Sequence, residues 1–403
     1  MTTQILQTER FTAQKYFFRV QKWGWKVVGF WPGMDNIPSL RIGLAIANSI
    51  EVLIYSVFQL MYCYESSDNL VFVLDALTPV LTQITTAMKV LIIVARREDL
   101  KFVLDYLKQS FYYDKSRESL KIHGRASIIS FTFGLTLAVF ANLTNLFFCL
   151  LPMVKDSYRL VMGIERSYDL PFKAVFPFNI FWSPLFEFIF VTSAYSGIMT
   201  ATSIYSTDGL FLGICAHISS EFKIIGSRVS TLIEEEIGSH QSIEKFSKEQ
   251  NDRLYKKLTI IVDDHSTVID VCQKMSRCLS PNVLIHYFTS AVITCICCLM
   301  ILLAEGAAKI IFVNYIIAST TQVFVYSIGG NMLEDASTGI YFTAYDFPWY
   351  KCDERIRRTI QMIMIRSQRK TAIDVPFFEA SLETFSVIIR TAGSYIALLN
   401  TFL

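Results

Sequence analysis

In the last nineteen residues, Phe385 to Leu403, Thr391, Ser394, Leu398 and Thr401 recur at steps of three, four and three. On a helix turning about 100° per residue they share one quadrant, and the rest of the surface is mostly apolar or aromatic. Two roles use such a stripe. Hydroxyls can replace part of an ion's hydration and a ring of Leu can close a conduit by dewetting, so several copies of this helix would line a pore. Small polar residues also line ordinary helix contacts in membranes, and the pattern alone leaves both open. Asp263, Asp264 and His265 invite a metal site, but no fourth ligand is placed and a solvated face with one satisfied His fits them better. Glu51, Asp75, Glu187 and Arg390 sit in apolar runs, where charge is costly and marks function. No nucleotide loop, catalytic triad or zinc motif is found, so an enzyme is not expected, and no cofactor, metal or nucleic acid is implied.

The elements that must position these groups follow from composition. A chain of 403 residues that is 52% hydrophobic and 18% charged, with mean hydropathy +0.40, is too apolar to be soluble at this length. It reads as an all-α, polytopic membrane protein. About 20 apolar residues cross the hydrocarbon, and seven runs qualify: Leu40 to Tyr62, Leu70 to Ala95, Ala126 to Leu151, Phe181 to His217, Val283 to Leu303, Ile310 to Gly330, and Phe385 to Leu403. Alternate connections carry 29 Lys and Arg on the side of the N-terminus and five on the other. That asymmetry places the N-terminus in the cytoplasm and the C-terminus outside, the reverse of a G-protein-coupled receptor.

Residues 1–39 mix Arg10, Lys15, Arg19, Lys22 and Lys26 with Phe17, Phe18, Trp23 and Trp25, and lack a signal-peptide core. They read as an interfacial segment on the inner leaflet. The fourth connection holds two heptad seams. Ile218, Phe222, Ile225, Val229 and Leu232 form one; Leu254, Leu258, Ile261, His265, Val268, Cys272, Met275 and Leu279 form the other, with a charged turn over Glu234 to Asn251. A basic helix with Ile356, Ile360 and Ile363 on one side follows in the sixth. These seams are too apolar for the cytosol and are expected to form the main contact between subunits. The nine cysteines show no disulfide framework, and a pairing of Cys63 with Cys149 stays open.

From Gly330 onward, Gly-Asn-Met-Leu-Glu, Tyr345, Trp349-Tyr350, Ile365-Arg366-Ser367-Gln368, Ser381-Leu382-Glu383-Thr384-Phe385, Ser394-Tyr395 and Leu398-Leu399 stand in an order that resembles the C-terminal signature of insect odorant receptors. The chain's end also matches loosely the Thr-Tyr, five apolar residues, Gln-Phe ending of the related gustatory receptors, with Ser394 for Thr and Thr401 for Gln. The resemblance implies a subunit of a ligand-gated, non-selective cation channel in the plasma membrane, reaching the sensory dendrite. It also implies a heterotetramer with a common co-receptor subunit, a shared cytoplasmic anchor and a pore lined by the last helix. The chain then divides into a cytoplasmic segment (1–39), a ligand-binding bundle (40–218), an anchor loop (219–282), helices five and six (283–330), a second anchor loop (331–373) and the pore helix (374–403). A gustatory channel of the same architecture and a transporter remain as alternatives. The Gly and Pro positions expected of a transporter's paired broken helices are missing.

A small volatile ligand entering from outside implies a pocket in the outer half of the bundle, lined by aromatics with a few hydroxyls. The outer halves offer Phe72, Asp75 and Thr78 on the second helix, Phe140, Thr144 and Phe147 on the third, Phe188, Thr192 and Tyr195 on the fourth, and Phe312, Tyr315 and Ser319 on the sixth. Membrane lipid is the remaining partner.

Overall fold

Helix starts follow from local chemistry. Asn69 accepts hydrogen bonds from the Val71 and Phe72 N–H groups (3.1 and 3.4 Å), Ser116 accepts from Ser119 N–H (3.1 Å), and Asp353 accepts from Ile356 N–H (3.1 Å). Each satisfies a backbone donor that the first turn leaves free. Burial pulls the Asp353 carboxyl up, but the Ile356 N–H and the Arg355 guanidinium outweigh it and hold it below the usual carboxylate range.

The computed structural model describes residues 14–113, 116–165, 167–237, 245–303 and 308–402; side chains at 113, 233–237, 308 and 395–402 lie outside that description. Its helices are α1 (Arg19–Val28), α2 (Ser39–Glu65), α3 (Leu70–Ala95), α4 (Arg97–Tyr113), α5 (Arg117–Val161), α6 (Leu185–Ile237), α7 (Lys248–Leu303), α8 (Ala308–Asp346), α9 (Glu354–Ser367) and α10 (Leu382–Phe402). Among the described residues, α2, α3, α5, α6, α7 and α8 are long and apolar enough to cross a membrane. The 21-residue α10 covers the seventh run.

The bundle is built around α6. Of its most apolar window 94% is buried inside the protein, against 11% for α5, so α6 is the central mast and α5 faces outward. The reason is side-chain size. Ser193, Ser196, Ser203, Ser206 and Thr207 are buried, and Thr200, Ser206 and Thr207 donate back to carbonyls one turn earlier, which lets neighbouring backbones approach.

The N-terminal segment corrects the interfacial reading. Phe18, Trp25, Phe30 and Trp31 are buried in the protein core rather than in lipid. Gln21 Nε2 donates to the Ser130 and Gly209 carbonyls (3.0 and 3.2 Å), and Trp25 Nε1 donates to the Ser206 carbonyl (3.0 Å). A Cβ at Gly24 would stand 2.1 Å from Ser206 Oγ, so only glycine allows α1 to lie this close to α6. The amphipathic pattern was legible, but an apolar face does not state whether protein or lipid covers it.

The cytoplasmic arms of α6 and α7 bury both heptad seams against each other and against α8 and α9. Ile356, Ile360 and Ile363 join the same core, and Arg228–Asp264 and Arg355–Asp252 (both 2.7 Å) close its rim. The seams are thus covered within one subunit, which overturns their assignment as the main contact between subunits. Among the described residues no three His, Cys, Asp or Glu side chains converge on a metal position, and Cys63 and Cys149 are both free.

Between α9 and α10, Asp374–Val375 and Phe378–Glu379 form a two-stranded antiparallel hairpin absent from the sequence reading. Ser276 Oγ accepts from Asp374 N–H (2.9 Å) and Ser280 Oγ donates to its carbonyl (2.6 Å), which fixes the hairpin to α7.

Candidate ligand site

Pro79 interrupts the polar ladder of α3, and from there Thr82, Thr86 and Lys89 recur along one face at steps of four and three. This face and parts of α5, α6, α7 and α8 line a cavity of about 80 Å³, counted as space open to the centre of a water-sized sphere. One water needs roughly 10–15 Å³ on that measure, so the cavity admits a small organic molecule. A larger cleft of about 530 Å³ lies between the cytoplasmic arms of α6 and α8, where Lys223, Asp335 and Asp346 suit water better than an apolar ligand.

Of the twelve residues offered for the pocket, Phe140, Thr144, Tyr315 and Ser319 line the cavity, and Asp75 pairs with Lys173 of the loop above it. Tyr315 donates to Thr82 Oγ1 (3.0 Å), and Thr144 Oγ1 accepts from Asn314 Nδ2 (2.7 Å). The other seven lie elsewhere. Phe147, Phe188 and Tyr195 are exposed on the bundle surface, with the Tyr195 hydroxyl donating to Asn48. Thr192 is half-buried and donates to the Ile189 carbonyl, and Thr78 is buried and donates to the Leu74 carbonyl. Phe312 packs with Ile293, Ile296, Cys297 and Met300 in a separate apolar cluster. Phe72 lies under the Lys173 ammonium (5.2 Å to its ring centre).

That last contact belongs to the roof. The loop between α5 and α6 folds over the cavity and inserts Phe172, whose ring stacks on Phe148 at 4.9 Å and whose carbonyl accepts from the Tyr55 hydroxyl (2.9 Å). Val175 N–H donates to the Phe58 carbonyl (3.1 Å), and Lys173 pairs with Asp75 at 2.6 Å. Burial alone would lower the Lys173 ammonium, but the Asp75 carboxylate outweighs it and holds the group above its usual range.

The floor is a charge cluster that the sequence reading missed. Lys89 Nζ lies 2.8 Å from Asp208 Oδ1 and 2.9 Å from His286 Nδ1; the Tyr326 hydroxyl donates to the same Asp208 oxygen (2.7 Å), and all four residues are buried. An unpaired charge here would be prohibitive, so the pair is held by each other and by neutral donors. The signal was available: Lys89 and Asp208 are charges within apolar runs, like the four that were singled out. Glu51 and Glu187 are each half-buried, and Arg390 is exposed on α10 in the single chain. The cavity also runs deeper and is richer in hydroxyls than the expected aromatic outer pocket, extending from the roof loop past the midpoint of α3. Of the pore stripe, Thr391 and Ser394 are exposed on α10, while the side chains of Leu398 and Thr401 lie outside the described residues.

Comparison with known proteins identifies this architecture. The chain is similar to Drosophila melanogaster odorant receptor 22c (29% identity over 96% of this chain and 97% of that one) and odorant receptor 24a (25%, 97% of each). Its fold is similar to the insect olfactory receptor OR5 from Machilis hrabei, with a TM-score of 0.80 at 17% identity over 97% of this chain and 99% of that one. The same receptor solved with eugenol gives a TM-score of 0.76. The fold class read from the sequence, an all-α membrane protein of seven spanning helices, stands with the hairpin as its one addition, and an enzyme is excluded. The model of the 7tm odorant receptor family matches residues 69–393, most of the chain, so the gustatory and transporter alternatives give way and the protein belongs to the odorant receptor family.

Proposed function

We propose that this receptor is the odorant-tuning subunit of a ligand-gated, non-selective cation channel, assembled with co-receptor subunits as a heterotetramer in the plasma membrane. The N-terminus lies in the cytoplasm. A small volatile occupies the cavity roofed by Phe172 and floored by Lys89, and α10 lines the pore through Thr391, Ser394, Leu398 and Thr401.

The observation that carries this reading is a run of contacts from the cavity floor to the start of α10. Tyr326, bonded to Asp208, meets the Tyr287 ring (6.4 Å), and Tyr287 packs against Phe378 at 4.8 Å. Phe378 lies in the hairpin immediately before α10, and Phe324 of α8 meets Phe385 of α10 edge-on at 5.6 Å. A ligand that shifts α7 or α8 acts on the last helix through packed rings, which transmit displacement because close-packed interiors do not deform smoothly.

Current recorded from oocytes expressing the chain with a co-receptor tests it. Ala318→Trp fills the cavity and is expected to abolish odorant-evoked current at unchanged surface level. Leu398→Ser is expected to raise current without odorant, whereas Leu399→Ser, turned about 100° away, leaves it unchanged. Normal odorant currents in the first variant and normal basal current in the second would overturn the reading.

A further inference from the structure

Two hydroxyls in the cavity have a proton to give and, among the described residues, no acceptor for it. Ser319 of α8 lines the cavity at 6% exposure, and its Oγ has no hydrogen-bond partner among the described residues. Ser290 of α7 lines the same cavity and is buried as deeply. The Lys89 ammonium has only protons to offer, so its bond to His286 Nδ1 makes that nitrogen an acceptor and leaves the ring proton on Nε2. Nε2–H then donates to Ser290 Oγ at 3.2 Å. Ser290 is thereby an acceptor from the histidine, and its own O–H remains to be donated into the cavity. The fixed positive charge at the head of this chain polarises it and strengthens Ser290 as a donor.

A buried hydroxyl without a partner is destabilising, and a ligand that completes the bond removes that penalty. A hydrocarbon leaves both hydroxyls unsatisfied; an oxygen with lone pairs does not. We propose that the cavity selects small molecules bearing a carbonyl oxygen, which accepts from Ser319 and Ser290, and discriminates against hydrocarbons of the same shape. The proposal rests on the reading of this cavity as the odorant site.

The test uses probe pairs in which C=O is replaced by C=CH2 at nearly constant shape: acetophenone with α-methylstyrene, 2-heptanone with 2-methyl-1-heptene, and further ketones built the same way. Currents are recorded from the chain co-expressed with a co-receptor. In each pair that evokes current the carbonyl member is expected to be more potent by about fivefold or more, the value of one net hydrogen bond. Ser319→Ala and Ser290→Ala are each expected to lower potency for the carbonyl member by about the same factor while leaving the methylene member unchanged. Equal potency within pairs, silence toward every carbonyl probe, or serine variants that weaken both members alike would overturn the proposal. Ala318→Trp separates the two levels. Loss of all responses in that variant with neutral serine variants refutes only the carbonyl preference, whereas responses that survive it refute the site itself.

Discussion

Lys89 Nζ and Asp208 Oδ1 face each other at 2.8 Å where α3 meets α6, with both side chains closed off from solvent. Each is the condition for the other's presence in the bundle interior. Removing one partner of such a pair costs about 3–5 kcal/mol, because the survivor is left buried and uncompensated, while replacing both with apolar residues is often neutral. Lys89→Met and Asp208→Asn are each expected to empty the surface of receptor, and Lys89→Met with Asp208→Leu to restore much of it. Surface biotinylation reads the difference. Equal losses in single and double variants would show that the pair is not held as a unit.

Gly330 and Gly339 lie on the same helix, α8, but in opposite surroundings. A Cβ at Gly330 would stand 1.8 Å from the Ala380 carbonyl oxygen, whereas one at Gly339 would meet nothing within 4 Å. Gly330→Ala is therefore expected to push the segment leading into α10 away and to destabilise by about 1–3 kcal/mol. Gly339→Ala is expected to be neutral or stabilising by about 0.5–1 kcal/mol. Thermal unfolding of the detergent-solubilised protein, followed by size exclusion, measures both. This contact also gives a physical reason for the glycine that opens the C-terminal signature.

Phe378→Ala should separate binding from opening. The ring packs on Tyr287 and lies outside the cavity, so its loss is expected to lower maximal odorant current severalfold with little change in half-maximal concentration. A shift in half-maximal concentration with full maximal current would place Phe378 in ligand binding instead.

Leu258 and Ile261 point into the subunit's own core, so changing both to Asp buries two unpaired carboxylates and is expected to unfold the subunit rather than part it from its neighbours. Phe342, Tyr345, Met362 and Ile365 form the exposed apolar alternative on α8 and α9. Changing Phe342, Tyr345 and Ile365 to Ser is expected to spare the monomer's elution profile and reduce co-purification with the co-receptor. Intact co-purification would exclude this face as the contact.

The sequence by itself determined the class of the protein, the seven runs and the two cytoplasmic seams. Each depends on a local period or on the count of apolar residues needed to cross hydrocarbon, and neighbours in sequence state both. The order of residues after Gly330 also carried the family resemblance. Tertiary structure decided what the apolar faces touch. The seams close on each other and α1 enters the bundle, because a hydrophobic stripe specifies burial and not its partner. It also decided which side chains share the cavity. Phe140, Thr144, Tyr315 and Ser319 meet there, but Phe147 on α5 and Phe188 on α6 turn outward, since the rotation of a spanning helix about its axis is set by which of its faces packs against the neighbouring helices. Asp208 and His286 stand 119 and 197 positions from Lys89, and only the crossing of α3, α6 and α7 makes them one group.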